Sequence, residues 1–210
     1  MVQSLLLEDK TNKASGWKKL CKKTQLDITM DVHKRAMENS NNVLWGTDQT
    51  VKGFKVAALE RYCEKFTDTI KDNKEIKAFE EIERSPGHAI CYFRFGMGFM
   101  DDRDMICDFT FKHKENGEFW MILRSVDDLT KYPIRKDDKG KDVVRFQMMK
   151  ASVAKDTAEG YENREFFNFN MGGNFPMRLL NMFMGDGIAK EIPQLHKDLT
   201  HHAAELAKGN

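Results

Sequence analysis

Apolar and polar residues alternate with a period of two through most of this chain, the mark of strands with one buried face. From Gln25, residues Leu26, Ile28, Met30 and Val32 fall on one side and Gln25, Asp27, Thr29 and Asp31 on the other. The alternation returns in Ala89, Cys91, Phe93 and Phe95, in Met105, Cys107, Phe109 and Phe111, and in Phe119, Met121, Leu123 and Ser125. Turn sequences punctuate these runs: Asn39-Ser40-Asn41-Asn42, Ser85-Pro86-Gly87 and the hairpin signal Glu115-Asn116-Gly117. Further strands are predicted over Val43–Val51, Val143–Val153 and Arg164–Met171, with a more polar edge candidate over Ile76–Arg84.

Helical spacing is confined to three places. Ser4–Lys23, with Leu5, Leu6, Trp17 and Leu20 and an interruption at Gly16, reads as one or two short helices. Phe54–Phe66 is helical through Val56, Leu59, Tyr62 and Phe66. From Pro176 to about Ala207, Leu180, Met184, Ile188, Ile192, Leu195, Leu199, Ala203 and Leu206 recur in steps of three and four, one stripe of a long amphipathic helix. Pro176 suits a first helical position, and Pro193 should kink or split the helix. Hairpin-linked strands without crossover helices make an α+β fold. If the last helix does not fill the concave face of the sheet, a cavity remains, and the 15 phenylalanines and 13 methionines would line it.

A chain of 210 residues makes one domain, taken over 1–210, with residues 1–24 as a helical lead-in and 176–207 as a lid helix. A formal net charge of +1 argues against a nucleic-acid partner, which needs a strongly basic face. The chain has no apolar run long enough for a spanning helix. Leu5-Leu6-Leu7 is ended at once by Glu8, Asp9 and Lys10, too short for an export signal. Cys21, Cys63, Cys91 and Cys107 form no C-x-x-C pair and read as buried free thiols, so the expected compartment is the cytoplasm.

Candidate chemistry is sparse. Gly96-Met97-Gly98 lacks the rest of a phosphate-cradling loop and reads as a turn. His201 and His202 are adjacent, about 100° apart on a helix, and with His196 read as a solvated face rather than metal ligands. Ser125 and Ser152 lie in strands without a nucleophile elbow, and Cys91 and Cys107 fall on apolar strand faces. Arg103-Asp104 reads as a structural ion pair or strand-end contact, and Lys136-Asp137-Asp138-Lys139 as solvated loop. No catalytic residue, cofactor or metal is assigned.

Three segments together resemble the START domains, the steroidogenic-acute-regulatory-protein-related lipid transfer family. They are Met100-Asp101-Asp102-Arg103-Asp104-Met105-Ile106, Trp120-Met121-Ile122-Leu123-Arg124-Ser125-Val126-Asp127-Asp128, and Asn170-Met171-Gly172-Gly173-Asn174-Phe175-Pro176. They match the family's Arg-Asp, Ser-Val-Asp and Gly-Gly-x-x-Pro signatures in order and spacing; Val143-Val144-Arg145 and Gly16-Trp17 extend the likeness to almost the whole chain.

The resemblance implies a helix-grip fold: a curved antiparallel sheet wrapped around the C-terminal helix, with an internal tunnel holding one lipid. Sterol, phospholipid and fatty acid all remain open, as do a helix-grip enzyme acting on a hydrophobic substrate and a ligand-sensing interaction module. The residues expected at the ligand are Phe93, Phe95, Cys107, Phe109, Phe111, Met121, Leu123, Arg145, Gln147, Met149, Phe167, Phe169, Leu180, Met184 and Ile188. Arg145 and Gln147, sharing a strand face with Met149 and Ala151, are the candidates for polar contacts. Phe109 stands where some family members place a tunnel arginine. The loops at Gly96–Met100 and Gly172–Phe175 are expected to present Phe99, Met100 and Phe175 as a gate in transient contact with a membrane.

Overall fold

The computed structural model describes residues 5–6, 8–37, 42–66, 70, 75–96, 98, 100–173, 175, 184, 187 and 190–209. Its strands are β1 (Lys18–Gln25), β2 (Ile28–Ala36), β3 (Val43–Lys52), β4 (Ile76–Ser85), β5 (His88–Phe95), β6 (Arg103–His113), β7 (Glu118–Ser125), β8 (Val144–Arg145), β9 (Gln147–Asp156) and β10 (Gly160–Asn170). Helix α1 (Val56–Glu64) follows β3, and α2 (Ile192–Ala207) is the C-terminal helix. The strands form one curved, unclosed sheet in the order β1-β2-β3-β10-β9-β7-β6-β5-β4, antiparallel throughout except for β8, which pairs parallel with β6. β4 is an edge strand, as its polarity predicts.

Both helices lie on the concave face. Val56, Ala58, Leu59 and Cys63 of α1 and Ile192 and Leu199 of α2 close on Ile28, Met30, Val32, Val51, Phe119, Ala154 and Tyr161 of the sheet. Lys55 gives α1 no side-chain cap; the carboxylate of Asp156, from the end of β9, accepts from Val56 N at 2.8 Å and takes that role. A second cluster joins Phe66 to Ala89, Cys91, Phe93, Met105, Cys107, Phe109, Leu123 and Phe146. The convex face is covered too. Leu6 and Trp17 pack on Leu44, Trp120, Ala151, Val153 and Phe166, while Tyr132 packs on Tyr92 and Ile106.

The structure corrects several sequence readings. Lys18–Lys23 is strand rather than helix: β1 is an edge strand exposed on nearly every residue, so it carries no alternation to betray it. Leu26 and Asp27 do not begin β2; both take left-handed φ angles (50° and 63°) and form the two-residue turn joining β1 to β2. Val143–Val153 is broken at Phe146 into β8 and β9, and β10 begins four residues ahead of Arg164. Glu191 is a turn immediately before α2, and Pro193 lies in the first turn of that helix, where its missing N–H is harmless; most of 176–189, the other half of the expected long helix, lies outside the described residues. Pro176 and Asn39-Ser40-Asn41 lie outside the described residues.

Candidate functional site

Cross-strand register sorts the inner face into rows. Met30, Gln49, Asn163, Ala154 and Phe119 form one row. Val32, Thr47, Glu165, Ser152, Met121 and Phe111 form the next, and Trp45, Phe167, Lys150, Leu123, Phe109 and Ala89 the one after. Between their ends, which reach Lys34 on β2 and His113 on β6, the polar members of these rows belong to β3, β10 or β9, and Phe119, Met121, Leu123, Phe111, Phe109 and Ala89 on β7, β6 and β5 are apolar. The inner surface is therefore polarised sideways, hydrogen-bonding on one half and aromatic on the other.

A cavity of about 300 Å³ lies over the polar half, walled by Leu59, Tyr62 and Cys63 of α1 and Gln194, Leu195 and Asp198 of α2. A second chamber of about 210 Å³, lined by Phe95, Arg103, Phe146 and Met171 among others, shares Phe169 and Met184 with the first. In the first chamber Lys150 Nζ donates to Glu165 Oε2 at 2.9 Å. Burial pulls the Lys150 ammonium down, but the charge and hydrogen bond of Glu165 outweigh it and hold it above the usual lysine value. Asn163 Nδ2 donates to Gln49 Oε1 at 3.4 Å, and Gln49 Nε2 to Thr47 Oγ1 at 3.2 Å. Asp198 accepts from Gln194 Nε2 at 2.9 Å, and burial pushes its carboxyl and that of Glu191 up.

Of the residues singled out in the sequence, Met121, Phe167, Phe169 and Met184 wall the first chamber, and Phe95, Phe169 and Met184 the second. Phe93, Cys107, Phe109, Phe111 and Leu123 share that face but wall neither chamber; they pack against one another and Phe66. Arg145, Gln147 and Met149 are corrections. β9 turns Met148, Lys150 and Ser152 to the cavity, so its odd-numbered residues point outward. Gln147 Nε2 donates to Asp127 Oδ2 at 2.8 Å, and Met149 is 36% exposed. Arg145 grips the fully buried Asp104 through Nε–Oδ1 (2.8 Å) and Nη2–Oδ2 (3.2 Å).

Arg103 and Asp104 are thus not partners of one another: Arg103 Nε donates to the Met171 carbonyl at 3.4 Å. Phe175 is half-buried with its ring 5.7 Å from the Arg103 guanidinium, and Met100 is half-buried nearby in sequence. Phe99, Leu180 and Ile188 lie outside the described residues. The polar cavity residues missed in the sequence include Gln49, Lys150, Asn163 and Glu165. For Asn163 and Glu165 the signal was the run Tyr161, Asn163, Glu165, Phe167, Phe169, a single strand face that carries both polar and aromatic groups.

The remaining candidates resolve structurally. All four cysteines are free; Cys63, Cys91 and Cys107 are buried and Cys21 half-buried. Burial pushes the Cys63 and Cys91 thiols up to about 12 and raises Cys107 as well, leaving them protonated at neutral pH. His202 is buried rather than solvated, and it shares Glu205 with His201, their ligand atoms lying within 4.8 Å of one another despite the histidines' adjacency. That carboxylate already takes Lys65 Nζ at 3.0 Å. The 136–139 loop is docked by Asp138 on Arg94 at 2.6 Å.

No family model matches the sequence, and no curated protein matches it. Solved structures do. Human STARD10 superimposes with a TM-score of 0.77 at 14% identity, covering 98% of this chain and 80% of that one. The fold is that of the START domains. A STAR-related lipid transfer protein fragment from Xanthomonas axonopodis gives a TM-score of 0.65 at 19% identity, over 88% of this chain and 99% of its own. Human StAR-related lipid transfer protein 5 gives 0.64 at 16% identity, over 89% and 88%. With the START fold assigned, the chamber between α2 and the sheet is the helix-grip interior, and among the described residues no helix is long and apolar enough to cross a membrane.

Proposed function

We propose that this chain binds a single lipid in the cavity between α2 and the sheet and carries it between membranes, without chemistry of its own. The observation that carries this is the adjacent pair of chambers, about 300 and 210 Å³, whose shared wall is Phe169 and Met184. Withdrawal of an acyl chain or ring system from water contributes about 25 cal/mol per Å² of apolar area, and a chamber lined by Met30, Met121, Met148 and Phe167 adapts to irregular apolar shapes. The solved proteins that share the fold are named for lipid transfer, which supports the same reading. Membrane contact is assigned to the loops around Met100 and Phe175, at the Arg103 end of the second chamber.

The test is mass spectrometry of the gently purified protein, native against denaturing, after incubation with mixed-lipid vesicles. The expected result is a one-to-one adduct that leaves on denaturation and is identified as a lipid. A single bare mass after that incubation overturns the reading.

A further inference from the structure

Asn163 is 6% exposed and lines the first chamber, yet among the described residues its buried Oδ1 oxygen has no hydrogen-bond partner. Its Nδ2 is already committed to Gln49, and Gln49 in turn to Thr47. Buried carbonyl oxygens are almost always satisfied, so one left unpaired in a cavity-lining side chain points to a donor that arrives with the cavity's occupant, reached by a small rotation of the Asn163 amide.

The surrounding charges restrict what that donor is. Lys150 is the one cation lining this chamber among the described residues, and Glu165 holds it at 2.9 Å. A carboxylate or phosphate head would have to compete with Glu165 for Lys150 while facing Glu191 and Asp198 on the opposite wall. An ammonium head fares no better. Glu165 is taken by Lys150, Asp198 accepts from Gln194, and Glu191 lies at the exposed side of the chamber. Buried charges need charged partners, whereas a neutral hydroxyl needs only an acceptor and modest desolvation.

We infer that the ligand's polar end is an uncharged lipid hydroxyl that donates to Asn163 Oδ1, its apolar body lying towards the aromatic half of the sheet. The inference rests on the lipid-binding reading above.

The test is displacement of the neutral dye Nile red from the full chain by four compounds sharing one C18 chain: oleyl alcohol, oleyl methyl ether, oleate and oleylamine. The alcohol is expected to act at a concentration at least tenfold lower than the ether, which accepts but cannot donate, and lower than either charged compound. Asn163→Leu should erase the alcohol–ether difference and leave the ether within twofold. Asn163→Asp, which keeps an acceptor in place, should retain the preference; it carries the test if the leucine variant loses its circular-dichroism melt. An ether or oleate as effective as the alcohol, or a preference that survives Asn163→Leu, overturns the hydroxyl assignment alone. Failure of all four to displace the dye overturns the lipid reading itself.

Discussion

Lys150 sits between Leu123 and Phe167 in the sheet and reaches diagonally to Glu165, whose side chain is 9% exposed against 26% for its own. Removing one member of a buried pair strands the other charge, at a cost of about 3–5 kcal/mol, whereas replacing both by apolar groups is often near neutral. Glu165→Gln should therefore lower unfolding free energy by roughly 3 kcal/mol, the low end because Lys150 still meets the cavity, and Lys150→Met with Glu165→Leu by far less. Urea denaturation of the three proteins measures this; equal losses in the single and double variants would remove the pair from the account. His33 makes a second point. It is 3% exposed on the convex face, and burial pushes its pKa below the usual histidine value; Lys10 and Lys19 add to the lowering, while Asp48 at 3.8 Å and Asp31 oppose it. The folded state prefers the neutral ring, so this contribution is complete above about pH 6.5 and is lost as pH falls below it. His33→Gln should show a smaller drop in Tm between pH 7 and pH 5 than the parent; an identical drop counts against the assignment. Neither residue announces its role in the sequence. β9 is covered on its outer side by Leu6 and Trp17 through Ala151 and Val153, so both strand faces read as apolar and the face carrying Lys150 looks like the outer one.

At the scale of elements, the Arg103 end of the second chamber depends on how β8 is tied down. Arg145 and Asp104 clamp it to β6, and the chain after β10 returns over it at Gly172. Gly172 has φ +65°, and a Cβ there would meet the Arg145 carbonyl oxygen at 2.5 Å. Gly98 has nearly the same φ, +67°, and among the described residues nothing lies within 4 Å of a Cβ placed there. Gly172→Ala should cost about 2 kcal/mol, a fall in Tm of roughly 4–8 °C for a chain of this size, and Gly98→Ala about half of that. Equal losses in thermal melts would show that backbone strain, and not the contact with β8, sets the cost. The glycine pair was visible in the sequence because it sits in a recognisable signature. β1 was not, since an edge strand of lysines has no buried face to impose a period, and the Leu26–Asp27 turn borrowed the alternation of β2.

Across the whole molecule, the succession of hairpins from β4 to β7 was legible because consecutive strands pair with their neighbours. The central join was not. β10 lies between β3 and β9, and nothing in its own residues names β3 as a partner. That join is also where polar residues of two rows meet: Gln49 and Asn163 are directly opposed across it, as are Thr47 and Glu165. The polar part of the cavity wall thus depends on one long-range pairing.

The same join orders events during synthesis. Lys52 pairs with Gly160, more than a hundred residues further along the chain. At the usual roughly 5–20 residues per second, the ribosome needs on the order of 5–20 s to supply the strand that completes β3. For that interval the hairpins β1–β3 and β4–β7 are two separate ribbons, each with a bare edge where its neighbour will come. Late closure of this kind slows folding through its loop entropy, and it leaves the nascent chain most open to pairing with other chains just before β10 arrives.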